Sequence, residues 1–105
     1  IELEFSSCTL NPYIIRIKVP SGEESGPLYC YHKQSIRFSP SINGCGHGKW
    51  IISIEDESTN TISESSISLE GVGSLFFTIQ SDMIPRITSQ QFLHLPHSSL
   101  CSSLI

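Results

Sequence analysis

The sequence predicts an all-β protein, an antiparallel β-sandwich of about seven strands followed by an irregular C-terminal tail. Three observations support this prediction. The composition favours strands, apolar and polar residues alternate along several segments, and glycine- or proline-rich turns separate those segments roughly every ten residues. A chain of 105 residues is long enough for one domain with a single core.

The composition is strongly skewed towards residues that favour strands. The chain contains 20 serines and 15 isoleucines and has no alanine. Alanine is the best helix former, whereas β-branched side chains lose rotamer freedom in a helix and pack well on a pleated surface. An isoleucine-rich chain without alanine therefore favours β structure before any pattern is considered.

Three segments show a clear period of two, which places alternate side chains on one face of a strand. They are "IELEFSSC", "YIIRIKV" and "KWIISIED". The residues that we assign to their inner faces are Ile1, Leu3 and Phe5; Tyr13, Ile15, Ile17 and Val19; and Trp50, Ile52 and Ile54. Four shorter segments, "LYCYHK", "SIRF", "ISLE" and "SLFFTIQS", complete the seven predicted strands, and in the last one the adjacent Phe76 and Phe77 must face opposite ways.

The remaining segments are predicted to be irregular. "PSGEESGP" and "SPSINGCGHG" have the composition of loops, and the polar segment "ESTNTISESS" (57–66) is predicted to be a loop or a ragged edge. We assign residues 1–88 to the sandwich and residues 89–105 to an irregular segment that packs on it or trails from it. The expected general form is immunoglobulin-like, although the arrangement of a tryptophan between two sheet-bridging cysteines is missing.

Charge and hydropathy argue against several classes of partner. The formal net charge is −4, and the six basic residues are scattered singly along the chain. Phosphate neutralisation by clustered Lys and Arg supplies most of the affinity of nucleic-acid binders, so nucleic acid is not an expected partner. No apolar run approaches the ~20 residues of a membrane-spanning helix. Because the chain starts directly in a strand-like segment, we favour one domain of a larger protein.

Two Cys-x-His pairs are the strongest candidates for a metal site. They are Cys30 with His32 and Cys45 with His47, and together they contain the four ligands of a tetrahedral zinc site. One intervening residue is fewer than structural zinc pairs normally have, so zinc is an alternative rather than the expectation. Disulfides Cys30–Cys45 and Cys8–Cys101 would instead indicate a small secreted effector or ligand, and cysteine usage leaves the compartment open.

Catalytic signals are absent from the sequence. There is no Gly-x-Ser-x-Gly elbow, and "GVGSL" lacks the lysine and helix of a phosphate-binding loop. The acids Glu2, Glu4, Asp56 and Glu57 are expected on solvated faces of strands and loops. We therefore predict no enzyme activity and no cofactor.

An exposed pair of tyrosines is the candidate binding surface. Tyr29 and Tyr31 flank Cys30 in a strand, so they face outwards together if Cys30 faces the core. Tyrosine is enriched at the energetically dominant positions of protein interfaces. The prediction from the sequence is therefore a non-catalytic interaction module that presents a sheet face or a loop rim to a protein partner.

Overall fold

A computed structural model describes residues 1–40, 48–69 and 71–94, and these residues form eight β-strands. The strands are β1 (Glu2–Ser7), β2 (Tyr13–Lys18), β3 (Leu28–Cys30), β4 (Ser35–Phe38), β5 (Gly48–Asp56), β6 (Thr61–Leu69), β7 (Gly71–Ile79) and β8 (Pro85–His94). The all-β prediction is confirmed, with one strand more than the expected seven.

The strands form two four-stranded sheets that pack face to face. Sheet A has the order β4-β1-β7-β8, and sheet B has the order β3-β2-β5-β6. In immunoglobulin domains the first, second, fifth and fourth strands share a sheet. Here the second and fifth strands are also neighbours, but the third and sixth strands flank them and the first strand belongs to the other sheet. The two-sheet form is therefore present, while immunoglobulin-specific features are not confirmed.

The expectation of a wholly antiparallel sandwich is corrected by the pairing of β1 with β7, which is parallel. All the other strand pairs are antiparallel. After β1 the chain crosses to sheet B and changes sheet three more times before it reaches β7. A long crossover connection of this kind permits parallel neighbours, whereas a short hairpin imposes the antiparallel arrangement.

The core lies between the sheets and consists of the residues that the alternation predicted. All ten residues assigned to the inner faces of the three clearest segments are buried. From the later strands, Leu69, Leu75, Phe77 and Ile79 join them. The ring of Phe77 stacks on that of Phe5 with 4.9 Å between the centroids, while Phe76 is less deeply buried, so the adjacent phenylalanines do face opposite ways. Burial of this apolar surface is the main favourable contribution to folding.

The extra strand and two shifted boundaries come from segments that were predicted to be irregular. Residues 57–60 form a turn, and β6 begins at Thr61, inside the predicted polar loop. The boundary predicted at residue 88 falls inside β8, which begins at Pro85 and continues to His94. β8 also contains a bulge, because Phe76 and Phe77 face Ser89 and Ile87 and leave Thr88 without an opposite residue. The rest of the predicted tail, 95–105, lies outside the described residues.

Candidate functional site

Tyr29 and Tyr31 form an exposed aromatic pair at the edge of sheet B. Cys30 between them is completely buried, so alternation directs both tyrosines away from the core. Their ring centroids are 6.3 Å apart, and the side chains are 50% and 41% exposed. Within the described residues, neither phenol hydroxyl has an intramolecular hydrogen-bond partner. The pair therefore offers both aromatic surface and polar groups to solvent.

Two further apolar residues lie on the outer face of sheet B, with a glutamate between them. The strand register aligns Tyr29 with Ile14, Ile14 with Glu55, and Glu55 with Ile62. Ile14 is only 8% exposed although it is not part of the central core, whereas Ile62 is 61% exposed. We call the outward side chains of Tyr29, Tyr31, Ile14, Glu55 and Ile62 the tyrosine face.

Sequence reasoning missed two members of the tyrosine face. Ile14 directly precedes Ile15 in "YIIRI", and this extra apolar residue on the polar side of an alternating strand is the signal that would have found it. Ile62 is a single apolar residue in a segment predicted to be a loop, so its position became visible only through the pairing of β6 with β5.

A shallow cleft of about 490 Å³ adjoins the tyrosine face on the same side of sheet B. Its lining includes charged side chains of both signs, namely Arg16, Lys18, Glu24 and Glu64. Arg16 also donates a 3.0 Å hydrogen bond to Glu55 of the tyrosine face, and this ion pair is partly exposed. The apolar surface is thus bordered by charged groups that remain accessible to water.

The two residues of the first Cys-x-His pair have different environments in the structure. The Cys30 thiol is buried and lies 3.8 Å from the carbonyl oxygens of Phe5 and Gln34, and its burial raises the pKa above the usual value. Zinc binds the thiolate, which this environment disfavours. The Nδ1 atom of His32 lies 2.7 Å from the carbonyl oxygen of Thr9 and must donate, since a carbonyl only accepts. In this environment Cys30 acts as a small core residue, and His32 connects β3 to the loop after β1.

The predicted zinc site and disulfides remain predictions. Cys45, His47 and Cys101 lie outside the described residues, and Cys8 and Cys30 are not linked to each other by a disulfide. Among the described residues, no group of three or more His, Cys, Asp or Glu side chains is arranged to hold a metal ion.

Asp56 is the one candidate acid whose environment differs from the expectation. Instead of lying on a solvated face it is buried, and its carboxylate accepts hydrogen bonds from Ser58 Oγ (2.6 Å), Ser58 N (2.9 Å) and Asn11 Nδ2 (3.0 Å). The Ser58 hydroxyl is the main reason why the pKa of Asp56 lies below its usual value, and partial desolvation opposes this effect. Asp56 therefore joins the turn after β5 to the loop between β1 and β2, which is a structural role.

Comparison with known proteins adds no relative to this description. The chain matches no protein family, no curated protein and no solved structure. Within the described ranges, no helix has the length and apolar character needed to cross a bilayer. The class that the observations define is a two-sheet, all-β protein with an exposed aromatic surface at one edge.

Proposed function

We propose that this protein is a non-catalytic interaction module that binds a protein partner through the tyrosine face. The observation that carries the proposal is the pair Tyr29 and Tyr31, which are half exposed on the outer face of a sheet whose other face supplies the core. Burying these rings in a partner would remove a large apolar area from water at a small cost in side-chain entropy, since tyrosine has few rotatable bonds.

The surroundings of the pair have the composition of an interface. Protein interfaces combine a centre of aromatic and aliphatic residues with a charged, solvent-accessible rim. Ile62 adds an exposed apolar side chain, whereas Ile14 is nearly buried. Glu55, which forms an ion pair with Arg16, lies between these two isoleucines in the strand register. Accessible charges at a rim add specificity and affect the rate of association more than the affinity.

The attachment of the tyrosines to the sheet also supports binding. β3 pairs with β2 over three residues, and the buried Cys30 fixes the strand against the core between the two rings. Side chains that are held in place before binding lose less conformational entropy when a partner covers them. Tyr29 is therefore positioned by the sheet itself, and Tyr31 by its place directly after the end of β3.

The test is a selection of binding peptides followed by mapping. A random peptide library displayed on phage is selected against the folded chain, and the selected peptides are measured against Tyr29→Ser/Tyr31→Ser. We expect a loss of affinity of at least about tenfold, since tyrosine anchors at interfaces commonly contribute 2 kcal/mol or more.

The matched control is Ile84→Ser/Ile87→Ser. These two isoleucines are 46% and 44% exposed, close to the values of the tyrosines, and they belong to the β7–β8 region of sheet A. The control variant should bind the peptides as the unaltered chain does. The proposal would be contradicted if the tyrosine substitutions left the affinity of the peptides unchanged, or if the affinity fell equally in both variants.

A further inference from the structure

The four edge strands of the two sheets differ in how they are protected against pairing with another strand. Exposed edges are templates for strand addition, and proteins protect them with short strands, prolines, bulges or charges. β3 and β4 have only three and four residues. β8 begins with Pro85 and contains the bulge at Thr88.

β6 has only one of these protections, a single charge. It is nine residues long, pairs with β5 in an unbroken register, and contains no proline, glycine, lysine or arginine. Glu64 is its single charged residue. No strand in the described part of the chain pairs with its other edge. The backbone of β6 therefore presents a long, regular row of hydrogen-bonding groups.

We propose that β6 pairs with β6 of a second copy of this chain, in an antiparallel register centred on Ser65. The two copies of sheet B then form one continuous sheet of eight strands. In this register Thr61 lies opposite Leu69, Ile62 opposite Ser68, Ser63 opposite Ile67, and Glu64 opposite Ser66. Every residue of the strand has an opposite residue, and no two charges of the same sign face each other.

Neighbouring registers are less favourable for definite reasons. A shift of two residues, centred on Glu64, places the two Glu64 carboxylates opposite each other, and like charges in that position destabilise a strand pair. The opposite shift of two residues, centred on Ser66, sets Thr61 and Ile62 of each copy opposite positions beyond Leu69, where β6 ends, and so leaves these two residues without a partner in the ladder. Along a strand, the backbone N–H and C=O groups of successive residues point alternately towards one edge and the other. A shift of one residue therefore sets groups that point towards the second copy opposite groups that point away from it. This self-complementarity is the reason for choosing a second copy as the partner.

The proposal can be tested separately from the tyrosine pair, because Tyr29 and Tyr31 lie at the β3 edge of sheet B and β6 forms the opposite edge. Ile62 is the one residue of β6 whose side chain also belongs to the tyrosine face. The contact area of a single strand pair is below that of a standard interface, so we expect a reversible dimer that forms at high protein concentration. The Tyr29→Ser/Tyr31→Ser variant should dimerise as the unaltered chain does, which separates this inference from the proposed function.

Sedimentation equilibrium of the full chain tests the proposal, with a reductant present to prevent dimers linked through the exposed Cys8. The concentration range runs from about 10 µM to about 1 mM, where small interfaces assemble. Ser66→Lys places an ammonium group opposite Glu64 at two symmetric points and should strengthen dimerisation about two- to thirty-fold, while Ser66→Glu should weaken it by a similar factor.

Ser68→Lys is the matched control for register, since it adds the same charge to an exposed serine on the same face of β6. In the proposed register it lies opposite Ile62 and should change dimerisation much less than Ser66→Lys. The proposal would be overturned if the chain stayed monomeric up to about 1 mM, a concentration at which weak dimers form. It would also be overturned if the two Ser66 variants both shifted dimerisation in the same direction.

Amide hydrogen exchange of the unaltered chain provides a measurement that does not depend on the folding of any variant. Alternate amides of β6 should exchange more slowly as the protein concentration rises, while those of β8 should not change. Equal exchange in β6 at low and high concentration would also overturn the proposal.

Discussion

The stack of Phe5 on Phe77 allows the packing of β1 against β7 to be tested quantitatively. The two residues are direct register partners in the parallel pair, and both are buried. Replacing either with leucine removes about two methylene equivalents of buried surface at about 0.8 kcal/mol each and leaves a small cavity. We expect each single variant to lose about 1.5–3 kcal/mol of unfolding free energy.

The stacking contribution appears in the double variant Phe5→Leu/Phe77→Leu. Because the stack is already lost in each single variant, the double variant should lose less than the sum of the two, by about 0.5–1.5 kcal/mol. Urea denaturation followed by tryptophan fluorescence is a suitable assay, since Trp50 is the single tryptophan of the chain and is fully buried.

Phe76→Leu is the control for this cycle. Phe76 is adjacent in sequence but faces away from the core and is partly exposed, so the substitution should cost about 0.5 kcal/mol or less. If Phe77→Leu were no more destabilising than Phe76→Leu, or if the effects of the two core substitutions were strictly additive, the assigned faces and the stack would be wrong.

Three further predictions concern single residues. In a variant with the other three cysteines replaced by serine, the Cys30 thiol should resist alkylation in the folded protein and react after denaturation, because it is buried and its pKa is raised; rapid native labelling would contradict this. The lowered folded-state pKa of Asp56 stabilises the fold above the unfolded-state value near 3.8, and this contribution is lost as the pH falls through the folded-state pKa. In urea titrations, Asp56→Asn should therefore lose less unfolding free energy than the unaltered chain as the pH falls from about 5 to about 3. If the unfolding free energies of the two proteins fell in parallel, the carboxylate of Asp56 would not stabilise the fold in this way. Gly48→Ala should cost about 1–3 kcal/mol, because φ is +119° and the added Cβ would lie 3.1 Å from Pro20 Cβ. Gly22→Ala, with a similar φ but open space around it, should cost less in the same assay, and equal losses would show that the contact with Pro20 contributes nothing.

The sequence was sufficient where apolar residues alternate strictly. β1, β2 and β5 were predicted with their correct inner faces because one side of each strand is continuously apolar, so a shift by one residue would expose it. The outward position of the tyrosine pair followed from the same rule once Cys30 was placed in the core. These parts of the fold depend on local pattern alone.

The pairing of β6, the length of β8 and the parallel contact of β1 were not predictable in this way. The inward positions Ser63 and Ser65 of β6 are serines, so no apolar alternation marks the first half of the strand, which became visible only through its pairing with β5. The second half of β6, from Ile67, was predicted as a strand because Ile67 and Leu69 alternate with serine. β8 begins at a proline, a residue that is tolerated at the start of an edge strand but usually indicates a break. The burial of Asp56 likewise depends on partners distant in sequence.

The central position of β1 in sheet A has a consequence for the kinetics of folding. β1 lies between β4 and β7, so β4 is connected to the rest of sheet A only through β1. β1 is at the start of the sequence, and its other neighbour, β7, is far from it along the chain. Contacts between such distant segments require closure of a large loop, and proteins rich in them fold slowly. The β5–β6 and β7–β8 hairpins can form early, whereas sheet A is completed only when β1 inserts. Substitutions in β1 should then act mainly on the rate at which the sandwich closes.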